Sequence, residues 1–377
     1  MGELDFNERY VGKYEDEIGV LPGNKGAPLL SKGFYNTKCD NISKIDGYGG
    51  RYKQYFNAWN YEYKEDMGNI EELAPGKTIF LLNRNGDSAN MYHGGCELIN
   101  AISLMHLLNL KPEDIKVIFL ESCTITLDPF YDMYKVLVSR GGEPMHIRDI
   151  KKKFRVSNAV LVPINWDSPA FLTYYGTPKC SQASKGYQLL NDLVDQYTNL
   201  SFKDNFISYN SSFYYPKSVI DYYLSNKTFK KIVTIQWRRV WPKGRKSQGR
   251  LMGNGPELAD KLASLLPKDI LIRLVNTADL NIFEQIAIAR SSDYFIGIHG
   301  AGLFLTIFTP RNCINHEILN RANMNGLRLI SGMSGHKTYS NILRADVKRI
   351  DEKNYLFFDL DSFGNCIIEN MKRNNFF

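Results

Sequence analysis

From residue 78 to residue 319 the chain repeats one pattern: a short run of β-branched and large apolar residues, then a longer stretch in which apolar positions return every three or four residues. The short runs predict strands and the longer stretches predict helices, because strand side chains alternate faces while neighbours on a helix face are three and four apart. A first set reads strand 78–82, helix 96–110, strand 116–120, helix 130–139 and strand 159–163. A second reads strand 231–237, helix 256–266, strand 270–275, helix 282–290, strand 294–298, helix 302–308 and strand 313–319. Alternation of this kind predicts an α/β fold, here as two Rossmann-like halves. Residues 1–70 are rich in Gly, Tyr and charge without a sustained period, and little regular structure is expected there. The Tyr-, Asn- and Ser-rich passage 197–226, which contains Pro216, is the linker candidate. The expected organisation is an irregular extension (1–70), a first Rossmann-like domain (71–225), a second (226–350) and a C-terminal tail (351–377) that could pack back on the N-terminal domain.

Composition narrows the classes. The 377 residues suffice for two domains at roughly 150 residues each, and 44% hydrophobic content with 23 Tyr and 21 Phe excludes a disordered chain. The longest apolar runs, such as Val117 to Leu120, fall far short of the roughly 20 residues a bilayer requires, so no membrane span is expected. A net charge of +7 is too small for a dedicated nucleic-acid binder, but the excess is concentrated. Lys230, Lys231, Arg238, Arg239, Lys243, Arg245, Lys246 and Arg250 occur without an intervening acid, a field suited to phosphate. Trp237 and Trp241 lie in or beside a strand there and read as core or wall, so no nucleic-acid partner is expected. The six cysteines are scattered, with no C-x-x-C pair and no His at ligand spacing, which leaves no basis for a zinc site. Asp359-Leu360-Asp361 follows an aromatic strand and reads as a surface turn. The N-terminus lacks a signal-peptide pattern, so a cytoplasmic location is expected if the chain is complete and a lumenal one if a segment precedes it.

The passage richest in chemistry is Gly297-Ile298-His299-Gly300-Ala301-Gly302-Leu303, with Glu317 twenty residues beyond Gly297. A buried strand entering a glycine-rich turn and then a helix lets backbone N–H groups face a diphosphate, and an acid at the end of the next strand can accept hydrogen bonds from a ribose. The same glycines would also serve tight strand–helix packing, with His299 a satisfied turn residue. An NAD(P)-dependent oxidoreductase would share the glycine turn and Glu317. Here, however, the turn follows the third strand of its half, and the arginines upstream suit a departing diphosphate that needs compensating charge.

Taken in order, several segments resemble glycosyltransferase family 61, particularly its branch of O-linked N-acetylglucosamine transferases. They are Asn90-Met91-Tyr92-His93-Gly94-Gly95-Cys96-Glu97, Arg238 or Arg239, Arg250-Leu251-Met252-Gly253-Asn254-Gly255-Pro256-Glu257-Leu258, Phe283-Glu284-Gln285, the Gly297–Leu303 block and Glu317. The resemblance spans roughly residues 75–345, with two departures. Glu97 stands where the family has Asp, and a loop at 241–249 separates the first arginine from Arg250. The resemblance implies a GT-B fold of two Rossmann-like domains facing a central cleft. It also implies inverting, metal-independent transfer of N-acetylglucosamine or xylose from a UDP-sugar to a hydroxyl of a protein or glycan acceptor, with no cofactor. Arg238, Arg239, Arg250, Asn254, His299, Gly300, Ala301, Gly302 and Glu317 are then the donor-binding set, and Asn90 and Tyr92 lie on the acceptor side. His93 and Glu97, four apart on a helical face, are the catalytic pair, one taking the acceptor proton while the other orients it. A UDP-binding member without catalysis would keep the same fold, the longer Glu97 and the inserted loop being its motivation.

Overall fold

The computed structural model describes residues 2–4, 35–37, 59–60, 71–82, 90–120, 130–146, 149–150, 154–162, 185–198, 212–226, 228–237, 251–319, 337–342, 347–350 and 355–377. Chain contacts divide it into two compact units, Met1–Leu172 with Asp192–Thr198, and Thr173–Asn191 with Asn199–Phe377.

The first unit contains, in order, β1 (Gly2–Leu4), β2 (Tyr35–Thr37), β3 (Trp59–Asn60), β4 (Thr78–Leu82), α1 (Met91–Leu107), β5 (Ile115–Phe119), α2 (Tyr131–Leu137), β6 (Met145–His146), β7 (Phe154–Val156) and β8 (Asn158–Val162). Strands β6, β5, β4 and β8 form a parallel sheet in that order, with β4 central. The apolar runs of β4 and β5 are almost wholly buried, as expected of strands covered on both faces. Short strands also form within the stretch expected to be irregular: β1 pairs with β2 and β7, and β2 with β3.

Helix α1 begins earlier than its apolar period suggests. Gly94 and Gly95 each lower helix propensity by about 1 kcal/mol and mask the first turn. The Asn90 side chain accepts from Tyr92 N–H at 3.1 Å and caps the helix, and Leu98, Ile99 and Ile102 are buried, each worth roughly 1.5–3 kcal/mol. Capping plus burial outweighs the glycines. The helix also stops short of residue 110, because Asn109 turns to a left-handed φ of 52° and Leu110 N–H bonds back to Met105 O.

The second unit contains α3 (Lys185–Tyr197, up to Asn191), β9 (Phe213–Tyr214), α4 (Lys217–Asn226), β10 (Lys231–Gln236), β11 (Leu251–Met252), α5 (Gly255–Leu265), β12 (Ile270–Val275), α6 (Ile282–Arg290), β13 (Tyr294–Ile298), a 3-10 helix (Ala301–Phe308), β14 (Ile314–Leu319), β15 (Lys337–Ile342), β16 (Val347–Ile350), β17 (Tyr355–Phe358) and α7 (Leu360–Arg373). Six strands form one sheet in the order β15-β14-β13-β10-β12-β9, parallel except for β9. On one face Val233, Ile235, Leu274, Tyr294 and Ile296 join Leu258 and Leu262 of α5 and Phe363, Ile367 and Met371 of α7 in a single core. The other face is unusually polar: register sets Thr234 beside Arg273, Phe295 beside Asn315 and Gly297 beside Glu317. Strands β11, β17 and β16 form a small separate sheet.

One expectation is corrected here. The passage read as a linker holds β9, paired antiparallel with β12, and α4, whose first turn is set by Pro216 O accepting from Val219 and Ile220 N–H. Within the second unit α7 packs on α5, and Phe376 enters the core against Tyr294. The helix expected over 302–308 is present as a 3-10 helix, Ala301–Phe308. Among the described residues, no helix is long and apolar enough to cross a membrane.

Candidate functional site

In the second unit the site residues gather at the C-terminal ends of the parallel strands, where open α/β sheets hold ligands. His299 extends β13 by one residue, its N–H donating to Ile318 O at 2.8 Å. On the neighbouring strand Glu317 stands in register with Gly297, so the His299 imidazole meets its carboxylate. Nδ1 and Oε1 are 2.6 Å apart, with both side chains buried. A carboxylate only accepts, so Nδ1 carries the proton and donates it to Glu317. Glu317, expected at a ribose, thus has one oxygen engaged by His299.

The glycines divide into two kinds. A Cβ on Gly297 would stand 2.5 Å from Leu303 Cδ2, and one on Gly302 would stand 2.6 Å from Nε2 of Gln236. The Gln236 amide, at the end of β10, lies against both and donates to Thr277 Oγ1 at 3.1 Å. Gly297 and Gly302 are therefore required by internal packing. Gly300 is in extended backbone, at φ 158° and ψ 175°, and is followed by the half-buried Ala301 and Gly302.

Asn254 precedes α5, but its amide is tied at both ends to the backbone of one residue: Nδ2 donates to Phe358 O at 2.9 Å and Oδ1 accepts from Phe358 N–H at 3.0 Å. That pair anchors β17 to the start of α5, a structural placement for a residue expected to touch the donor. Arg238, Arg239 and Arg250 lie outside the described residues. Just before them, Trp237 packs against the second core and donates Nε1–H to Met252 O. Asp359 and Asp361 belong to a helix start: Asp359 accepts from the N–H groups of Asp361 and Ser362, and Asp361 pairs with Lys261.

In the first unit Asn90, Tyr92, His93 and Glu97 share the opening turns of α1, which follows the C-terminal end of β4. Asn90 caps the helix, Tyr92 is buried with its ring edge-to-face on His93 at 5.5 Å, and His93 is half-buried one turn before Glu97. Glu97 is only 2% exposed. Burial, and then the charge of Glu97, push the adjacent Cys96 thiol well up, so Cys96 is no nucleophile.

Sequence reasoning missed three buried polar features of the second unit. Arg273, inside an apolar strand, donates to Thr234 Oγ1, Ile288 O and the Ser291 hydroxyl, and burial lowers it to about 10. His316 shares a hydrogen bond of 2.8 Å with the Tyr294 hydroxyl, and burial lowers it to about 4. Gln236 fills the glycine cradle. The only signal for any of them was a polar residue interrupting or ending an apolar run.

A His–Glu pair beside a glycine turn at the ends of parallel strands has the placement of a ligand-binding site in an open α/β sheet. Compared with known families, the chain matches the glycosyltransferase 61 model over residues 92–314, more than half its length, and it belongs to that family. Two relatives share the name EGF domain-specific O-linked N-acetylglucosamine transferase. The Xenopus laevis protein is 21% identical over 350 residues, covering 90% of this chain and 58% of the relative. The Mus musculus protein is 23% identical over 235 residues, covering 61% of this chain and 38% of the relative. The chain thus spans between about two fifths and three fifths of the length of these relatives.

Proposed function

We propose that this chain is an inverting, metal-independent glycosyltransferase of GT-B type, transferring N-acetylglucosamine or xylose from a UDP-sugar to a hydroxyl of a protein or glycan acceptor. The observation that carries the reading is the His299–Glu317 pair beside Gly300–Ala301 at the ends of β13 and β14, in a chain of the glycosyltransferase 61 family. N-acetylglucosamine is favoured as the sugar by the activity for which the two relatives are named.

In this reading the second unit holds the donor and the first the acceptor. The acceptor oxygen attacks the anomeric carbon as the bond to the UDP oxygen breaks, and the acceptor proton passes to Glu97 or His93. Negative charge developing on the diphosphate is met by Arg250, by Arg238 or Arg239, and by His299 with the backbone N–H groups at Ala301 and Gly302, which take the part a divalent cation plays elsewhere. The family membership favours this over hydride transfer from a nicotinamide cofactor.

A donor-hydrolysis screen of the full chain over UDP-N-acetylglucosamine, UDP-xylose, UDP-glucose and UDP-galactose tests it. UDP release from one of the first two, above a no-enzyme control, is expected. UDP binding without release or transfer from any donor would point instead to a member without catalysis.

A further inference from the structure

We propose that Glu317 is a positioning residue acting through His299: it aims the imidazole at an anionic oxygen of the nucleoside diphosphate and is not itself a ribose contact. This inference rests on the glycosyl-transfer reading above. The 2.6 Å bond joins two side chains that are 6% and 3% exposed, each carried by a strand of the parallel sheet. Desolvating a carboxylate costs several kcal/mol unless it is hydrogen-bonded, and the imidazole supplies one such bond. The backbone of His299 is also fixed, by its bond to Ile318 O, so Glu317 sets the remaining freedom, the ring's orientation. With Nδ1–H held by Glu317, Nε2 lies on the far side of the ring. A diphosphate oxygen reaching Nε2 draws a proton from solvent onto it, leaving an imidazolium between two negative groups, donating to both.

A ribose role would require Glu317 to hold a hydroxyl in addition to the imidazole that already engages its Oε1. Among the described residues, few other charged groups face this pair. The 3-10 helix carries none, and β10 presents the neutral Gln236. Arg273 of β12 is spent on Thr234, Ile288 and Ser291, Asp279 beyond β12 on Asn276, and Glu284 and Arg290 of α6 on Asn281 and Asn191.

The test is a double-mutant cycle on UDP affinity, by calorimetry on the full chain. His299→Gln and Glu317→Gln should each weaken UDP by about tenfold, with the double variant no weaker than His299→Gln alone, since residues acting as one unit are not additive. The preference for UDP over 2′-deoxy-UDP should survive Glu317→Gln unchanged. Losses that add, or a ribose preference that disappears, would overturn the inference while leaving the glycosyl-transfer reading intact. A wild-type chain that binds neither UDP nor any other nucleoside diphosphate would overturn both. Should a variant fail to fold, the wild type still decides: histidine-labelled ¹⁵N spectra should show His299 protonated at Nδ1, and a bare Nδ1 overturns the proposal.

Discussion

His299 and His316, separated by the 3-10 helix in sequence, sit on opposite faces of one sheet and have opposite chemistry. His299 meets a carboxylate, while His316 is sealed among Tyr294, Phe363 and the apolar core, where burial lowers it from 6.5 to about 4. Since the folded ring resists a proton that the unfolded ring accepts, the unfolded state binds more protons between these values. Stability contributed by neutral His316 is complete above about pH 6.5 and falls as pH drops toward about 4, by up to roughly 3 kcal/mol. Urea denaturation across that range should show a steeper acid loss for wild type than for His316→Leu; parallel curves would refute it. In the proposed reaction Glu97 or His93 takes the acceptor proton. Glu97→Gln keeps its shape and removes its basicity, so transfer should fall by about a hundredfold or more while UDP affinity stays within about twofold. A variant retaining most of its turnover would move the base to His93.

At the scale of elements, the segments shared with the family turn out to be structural devices as much as chemical ones. Glu284 completes a reciprocal capping box with Asn281 at the start of α6, and Gln285 donates to Leu280 O to close the loop before it. Gly302 exists to admit Gln236. Gly302→Ala should therefore destabilise the chain by about 1–3 kcal/mol, and adding Gln236→Ser should return most of the lost melting temperature. If the second substitution lowers stability further, the contact is not what requires the glycine. Element identity was legible for β12, α6 and β13, whose apolar periods run to their boundaries. A helix was also legible at 302–308 but its 3-10 type was not, because Leu303–Phe308 is buried throughout and a stripe that covers every side has no period to distinguish one helix type from another.

For the whole molecule, the decisive prediction concerns metal. Charge on the leaving diphosphate is assigned to arginines, His299 and backbone N–H groups, so UDP-sugar hydrolysis should be unchanged in excess EDTA, to within about twofold of the untreated rate. Loss of activity on chelation, restored by manganese, would refute metal-independent transfer. Of the basic residues between 230 and 250, Lys230 and Lys231 stand at the start of β10 and pair with Asp269 and Asp293, so the proposal rests on the arginines that follow Trp237 in the sequence.

The sequence by itself determined the α/β alternation, the strands β4, β5, β8, β10, β12, β13 and β14, and the order of motifs that marks the family, because apolar period and glycine spacing are local properties of the chain. Tertiary structure alone decided which partner each polar group takes. That Asn254 serves Phe358, that Gln236 occupies the glycine cradle, that Glu317 holds His299 and that Arg273 lies beneath α6 all depend on strand register and helix docking, which bring together residues that no spacing rule connects.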